Sequence, residues 1–242
     1  MAARPSPVAQ AKLQRIFAIV PAAGQGTRIG DAVPKQYIPL AGKPMVYHCL
    51  HALSRVDRIE RVFAVLAPDD RHWATQDWSG FGDRVEPLYV GGEHRAHTVF
   101  NALVALEARA GADDWVLVHD AARPCIRSEL IEQFLDELEE DPVGGLLAMP
   151  LADTLKSADE TQRVAATIPR LNLWRAQTPQ MFRYALLRRG LEQRRDVTDE
   201  AQALEALGRG PRLVEGESGN IKVTFAEDIA LAEMILRSQA RA

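Results

Sequence analysis

Short, continuously apolar segments recur along this chain, each followed by a polar loop and then by a stretch with helical spacing. IFAIVP (Ile16 to Pro21), RVFAVLAP (Arg61 to Pro68), WVLVHD (Trp115 to Asp120) and GGLLAMP (Gly144 to Pro150) show little polar–apolar alternation. Strands of that kind are buried on both faces, as they are when helices cover both sides of a parallel sheet. VEPLYV (Val85 to Val90) is a weaker strand, because Pro87 removes a ladder donor. MVYHCLHAL reads as a helix with Pro44 in its first turn, and Ala96 to Ala110 as another. In Ser128 to Leu138, Leu130, Ile131, Phe134, Leu135 and Leu138 share one face, with Ser128 placed as the cap. Asp69 is similarly placed to cap the segment after the second strand. The pattern implies an α/β fold: a mainly parallel, twisted sheet flanked by helices, with right-handed crossovers. Loops at the carboxyl ends of the strands should then hold the ligand.

The pattern changes between Leu151 and Arg175. Polar and apolar residues alternate there around a polar turn at Asp159 and Glu160, as in a β-hairpin added to the main sheet. Such a hairpin has edges that need covering, and a partner subunit would cover them. Helical patterns return at Tyr184 to Gly190, Thr198 to Leu207 and Ala226 to Arg237, and PRLVEGESGNIKVTF holds one or two short strands. No linker divides the chain. Residues 1–15 read as a flexible tail and 16–242 as one domain, with the hairpin at 151–175 as an arm.

Composition removes several function classes. With 242 residues, 47% of them hydrophobic, the chain can bury a full core without disulfides. Acidic residues outnumber basic ones 33 to 29, for a net charge of −4, so no nucleic-acid partner is expected. No apolar run approaches the ~20 residues of a membrane span. The first residues lack the apolar core of a signal peptide and are broken by Pro5 and Pro7, so a cytoplasmic location is expected. Cys49 and Cys125 have no metal-ligand spacing and read as small buried apolar groups.

The first strand runs into PAAGQGTRIGDAVPKQY, Pro21 to Tyr37. Ala22, Ala23, Gly24 and Gly26 let a ligand approach the backbone, whose N–H groups suit phosphate oxygens. Arg28 and Lys35 add fixed positive charge, so the loop suits a triphosphate. The dinucleotide fingerprint fails, because its third glycine is due at Ile29. The P-loop pattern also fails, because Gly42-Lys43 is followed by Pro44.

PAAGQGTR with PKQY resembles the first motif of small-molecule nucleotidyltransferases. Joined to GGEHRAHTV, VHDAARP, TPQ, TDEA and NIKVT, in that order from Ile16 to Arg237, it is similar to the 2-C-methyl-D-erythritol 4-phosphate cytidylyltransferase family. The resemblance implies a Rossmann-like nucleotidyltransferase that moves a cytidylyl group from CTP to a sugar-alcohol phosphate, with Mg2+ on the triphosphate. It assigns Arg28 and Lys35 to the transition state, and Arg170 and Lys222 to the incoming phosphate. Ala22, Ala23, Gly24, Gly91, Gly92, Glu93 and Thr98 fall on the cytosine and ribose. Asp120, Arg123, Thr154, Thr178 and Thr198 fall on the acceptor. It also implies a homodimer whose hairpins cross, so that Thr154 serves the neighbour's site. Glu93 stands where the family often has Asp, and Thr98 where it often has Ser; both keep the functional group.

The chemistry is consistent with this assignment. A phosphate nucleophile is already ionised and needs no strong base, so positioning and electrostatics suffice. Backbone groups in the Ala22–Ala23 and Gly91–Gly92 turns would read the cytosine edge. Singly, each charge has a plainer reading: Lys222 as a surface lysine, Asp120 as a turn cap, Arg123 as a salt-bridge partner and Thr198 as a helix cap. His119 reads as a packed strand-end residue rather than a base. Rival functions are a ribitol 5-phosphate cytidylyltransferase, a non-catalytic nucleotide-binding regulator and a nicotinamide-dependent oxidoreductase.

Overall fold

A computed structural model describes residues 14–24 and 33–241. Its elements, in order, are β1 (Ile16–Pro21), β2 (Pro39–Leu40), β3 (Lys43–Pro44), α1 (Met45–Ser54), β4 (Ile59–Val65), β5 (Val85–Leu88), α2 (Arg95–Ala105), β6 (Trp115–Val118) and α3 (Ser128–Leu138). There follow β7 (Gly144–Pro150), β8 (Leu155–Ala158), β9 (Val164–Ile168), β10 (Trp174–Arg183), α4 (Tyr184–Gln193), α5 (Glu200–Glu205), β11 (Arg212–Glu215) and α6 (Glu227–Gln239).

Seven strands form the central sheet in the order β11-β7-β10-β6-β1-β4-β5. The pairs β11–β7, β6–β1, β1–β4 and β4–β5 are parallel, and only β10 runs against its neighbours. The apolar runs take the buried strands as expected. Ala18 and Val20 of β1 point to one face, with α1 and α3; Phe17 and Ile19 point to the other, with α2, α4 and α5. Each large side chain fully buried in these layers contributes roughly 1.5–3 kcal/mol. Pro87 is tolerated because β5 is an edge strand.

Several local expectations are corrected. The hairpin does not extend the main sheet: β8 and β9 form a separate two-stranded sheet, with its turn held by Asp159. The strand that enters the main sheet is β10, which follows the hairpin. Its register breaks between Ala176 and Gln180. Ser128 is not the cap of α3: Arg127 holds that position, and the Ser128 hydroxyl donates to Ala52 O at 2.9 Å. Asp70, not Asp69, accepts from the N–H groups of His72 and Trp73. Pro44 precedes the first turn of α1. PRLVEGESGNIKVTF does hold one short strand, β11, at its start, and NIKVTF carries none. Arg15 is tied to Asp114 through backbone and side chain, so the tail is not loose at that point, and its residues 1–13 lie outside the described residues. Among the described residues, no helix is long and apolar enough to cross a membrane.

Candidate active site

A cleft of about 220 Å³ opens at the carboxyl ends of β1 and β6. Ala22, Ala23, Gly24, Lys35, Gly92, Glu93, Thr98, Asp120 and Lys222 all line it, joined by Arg95. Segments about a hundred residues apart in sequence therefore meet where the sheet's polarity directs them.

The small-residue turns are shaped from within. The Ala22 N–H donates to Val65 O at 2.8 Å, and its carbonyl accepts from Gln36 Nε2 at 2.7 Å. Gly91 lies behind the wall: its N–H donates to Leu66 O, and a Cβ there would meet the Ala23 Cβ at 2.3 Å. The Gly92 N–H donates to Thr98 Oγ1 at 3.0 Å, while the Thr98 hydroxyl donates to His94 O at 3.1 Å. The N–H groups of Ala22, Gly91 and Gly92 are therefore already used within the chain and are not donors for a base edge. Glycine at 91 and 92 answers to the chain's own packing, since a Cβ at Gly92 would meet the His97 Cβ at 2.6 Å, whereas a Cβ at Gly24 would meet nothing within 4 Å.

Lys35 begins a short 3-10 turn after Pro34, and its ammonium donates to Val223 O. Lys222 is fixed by its flanks. Asn220, 1% exposed, donates to Thr178 O at 2.8 Å, and the Val223 N–H donates to Ala122 O. The Lys222 ammonium meets Asp120 Oδ2 at 2.8 Å. Asp120 Oδ1 accepts from Arg95 Nε at 2.8 Å. Burial alone would raise the Asp120 carboxyl; the charges of Arg95 and Lys222 overcome it and hold the group well below the usual carboxylate range.

Two of the expected site residues support the cleft from beneath. Thr178 Oγ1 accepts from the Asp120 N–H at 3.0 Å and lies 3.2 Å from His119 Nδ1. His119 Nε2 lies 3.0 Å from Arg123 O, an acceptor, so that nitrogen carries the proton and Nδ1 accepts from Thr178. Burial pushes His119 down to about 4, which suits a packed neutral ring and not a base at neutral pH. Arg123 donates to the carbonyls of Asn220 and Ala176, which joins the Asp120 turn to the Lys222 segment. The antiparallel register of β10 on β6, with Gln180 opposite Val118, continues to place Thr178 opposite Asp120.

Other expected residues lie elsewhere. Thr198 is exposed and bonds Gln202, while Asp199 caps α5. Thr154 and Arg170 are exposed on the β8–β9 arm, and neither lines the cleft. Arg28 lies outside the described residues.

The motif reading had not singled out Arg95 and Glu200. Arg95 Nη1 and Nη2 donate to Glu200 Oε1 and Oε2 at 2.7 and 2.9 Å. Burial would lower Arg95, but Glu200 and Asp120 hold it above its usual value. Burial pushes the Glu200 carboxyl up, against the opposing pull of Arg95. A signal was present: Glu200 stands one turn before Leu204 and Arg95 one turn before Val99, so each charge lies on the apolar stripe of its helix.

With this geometry in place, comparison with known proteins is decisive. The family profile described as IspD: 2-C-methyl-D-erythritol 4-phosphate cytidylyltransferase matches residues 16–238. A protein of that name from Dechloromonas aromatica (strain RCB) is 56% identical over 227 residues, 94% of this chain and 100% of its own. This chain belongs to the 2-C-methyl-D-erythritol 4-phosphate cytidylyltransferase family. A crystal structure described as 4-diphosphocytidyl-2C-methyl-D-erythritol synthase superposes with a TM-score of 0.82 at 35% identity, covering 92% of this chain and 98% of the other. The cytidylyltransferase of that family from Francisella tularensis gives 0.78 at 32% identity, with 92% and 100% covered. Within this family fold, no group of three or more His, Cys, Asp or Glu is placed to hold a metal ion among the described residues.

Proposed function

We propose that this enzyme transfers the cytidylyl group of CTP to the phosphate of 2-C-methyl-D-erythritol 4-phosphate and releases pyrophosphate, within the non-mevalonate route to isoprenoid precursors. The observation that carries the reading is the convergence of Lys35, Asp120 and Lys222 on one cleft walled by the Ala22–Gly24 and Gly91–Thr98 turns. A phosphate oxygen of the acceptor attacks the α-phosphorus of CTP, and the bond to the bridging oxygen of the pyrophosphate breaks. Both reactants are anionic, so cations must hold them together and take up the charge that shifts to the leaving group. Lys35, with Arg28, is assigned to the α-phosphate and the departing charge. Lys222, with Arg170, is assigned to the incoming phosphate. The cytosine and ribose lie against Ala22, Ala23, Gly24, Gly92, Glu93 and Thr98, with Gly91 setting the depth of the wall. Asp120 orients Lys222 and faces the acceptor; Arg123 and Thr178 hold Asp120 in place.

The cleft's carboxylates are Glu93 at its rim and Asp120, whose oxygens face Arg95 and Lys222. That donor set suits Mg2+ held chiefly by the CTP phosphate oxygens, with at most one carboxylate from the chain. Bound so, the ion would neutralise triphosphate charge. We further propose a homodimer in the cytoplasm, where CTP is available, with Thr154 and Arg170 of each arm serving the neighbouring cleft. Their exposure on an arm apart from the cleft supports this reading. Incubation with Mg2+, each nucleoside triphosphate, and 2-C-methyl-D-erythritol 4-phosphate or ribitol 5-phosphate tests it. Pyrophosphate release is expected with CTP and the methylerythritol acceptor; release only with ribitol 5-phosphate, or equally with ATP, overturns it.

A further inference from the structure

Charges alternate in a row from α5 to the cleft: Glu200, Arg95, Asp120, Lys222. The Glu200 side chain is 1% exposed, so it cannot touch a substrate. We propose that Glu200 is a positioning residue for the transfer, acting through Arg95 and Asp120 on the direction of the Lys222 ammonium. The proposal rests on the reading that Lys222 meets the incoming phosphate.

The argument is one of donor geometry. A guanidinium is a rigid planar fork, and its edge of two terminal nitrogens matches a carboxylate. Glu200 occupies that edge of Arg95 with two near-parallel bonds of 2.7 and 2.9 Å. With that edge taken, Arg95 reaches Asp120 through Nε, which donates to Oδ1. Oδ2 is thereby kept for Lys222. Without the Glu200 charge, the strongest partner left to Arg95 is Asp120. The fork then turns to take both Asp120 oxygens, and Lys222 loses its holder. The Lys222 side chain is 49% exposed and sits on a flexible four-carbon stem, so its ammonium then spreads over several rotamers. A buried ion pair adds little net stability, because desolvation offsets the attraction. Orientation is what this pair supplies.

Glu200→Gln keeps the side-chain shape and removes its charge. The first readout uses the full-length protein without substrates: acetylation of Lys222 by acetic anhydride at neutral pH, followed by peptide mass spectrometry with Lys43 as the internal reference. Lys222 labelling relative to Lys43 is expected to rise several-fold in Glu200→Gln. The second readout is steady-state kinetics. The kcat/KM for the acceptor is expected to fall by about 10²-fold, the scale of a misplaced reacting group, with the KM for CTP nearly unmoved. The double variant Glu200→Gln/Lys222→Gln is expected to be no worse than Lys222→Gln alone, since both changes act at one point. Unchanged Lys222 labelling, or losses that multiply in the double variant, overturns the proposal. If Glu200→Gln does not fold, Glu200→Asp replaces it; that variant keeps the charge but is one methylene short, and it should give an intermediate rise in labelling. Labelling needs no turnover, so an error in the assigned reaction would leave this readout standing.

Discussion

At the cleft, Thr98 is 2% exposed and Asp120 7%; Thr98 is bonded to Gly92 and His94 of its own turn, and Asp120 to Thr178, Arg95 and Lys222 from three other segments. On the arm, every residue from 158 to 176 is exposed, and among them Val164 and Leu171 reach 66% and 83%. The cleft is organised by its own chain before any ligand arrives. The arm is a two-stranded ribbon, a form marginal by itself in water, and it presents apolar side chains that another surface would cover. On the proposed reading, the nucleotide and the Lys222 end of the acceptor are handled in the cleft of one chain, while Thr154 and Arg170 would reach the acceptor from an arm whose order would come from association.

Four experiments would break or sharpen that contrast. The largest effect is expected from Lys35→Ala, which should lower kcat by about 10²-fold or more, on the scale of losing one preorganised charge in the transition state. A near-normal kcat would make the cleft a binding feature only. Next, mixing Lys35→Ala protomers with Arg170→Ala protomers should restore roughly a quarter of the wild-type activity, because each mixed two-fold dimer regains one intact site. No restoration would mean that each site draws on a single chain.

Stability should report on the core beneath the cleft. His119 titrates near 4 in the folded protein against 6.5 ordinarily. Between those values the unfolded chain binds a proton that the folded chain does not, so stability is full above pH 6.5 and falls as pH drops toward 4. By pH 5 the loss is about 2 kcal/mol. The fall in Tm between pH 7 and 5 should therefore be smaller in His119→Gln than in wild type, and an equal fall would refute the buried neutral ring. The smallest change is expected at Thr98, whose hydroxyl bridges Gly92 and His94. Thr98→Val should cost about 1 kcal/mol and raise the KM for CTP, whereas Thr98→Ser should leave both close to wild type by denaturant titration and steady-state kinetics.

Legibility in the sequence follows the same division. Runs such as IFAIVP and WVLVHD announced buried parallel strands, because nothing but burial on both faces explains them. β10 was not legible: WRAQTPQMFR mixes charge, amides and a proline, since half of it is exposed and half lies beneath Asp120. The hairpin could be read as a hairpin, but its place could not, because alternation fixes faces and not neighbours. Lys35, Asp120 and Lys222 were legible as parts of motifs. Glu200 and Arg95 were hidden because each meets its partner only in three dimensions, 105 residues apart.

The position of β10 also has a consequence for how the chain is made. β1, β4, β5 and β6 are complete once residue 118 is available, and together they form a parallel block. The buried strand WVLV of β6 is then its open edge until β10 pairs with it. Synthesis must therefore run to Arg183 before that edge is closed and β7 can join through β10. A chain stalled or cut between those points would present an apolar strand with free backbone donors and acceptors, a template for aggregation.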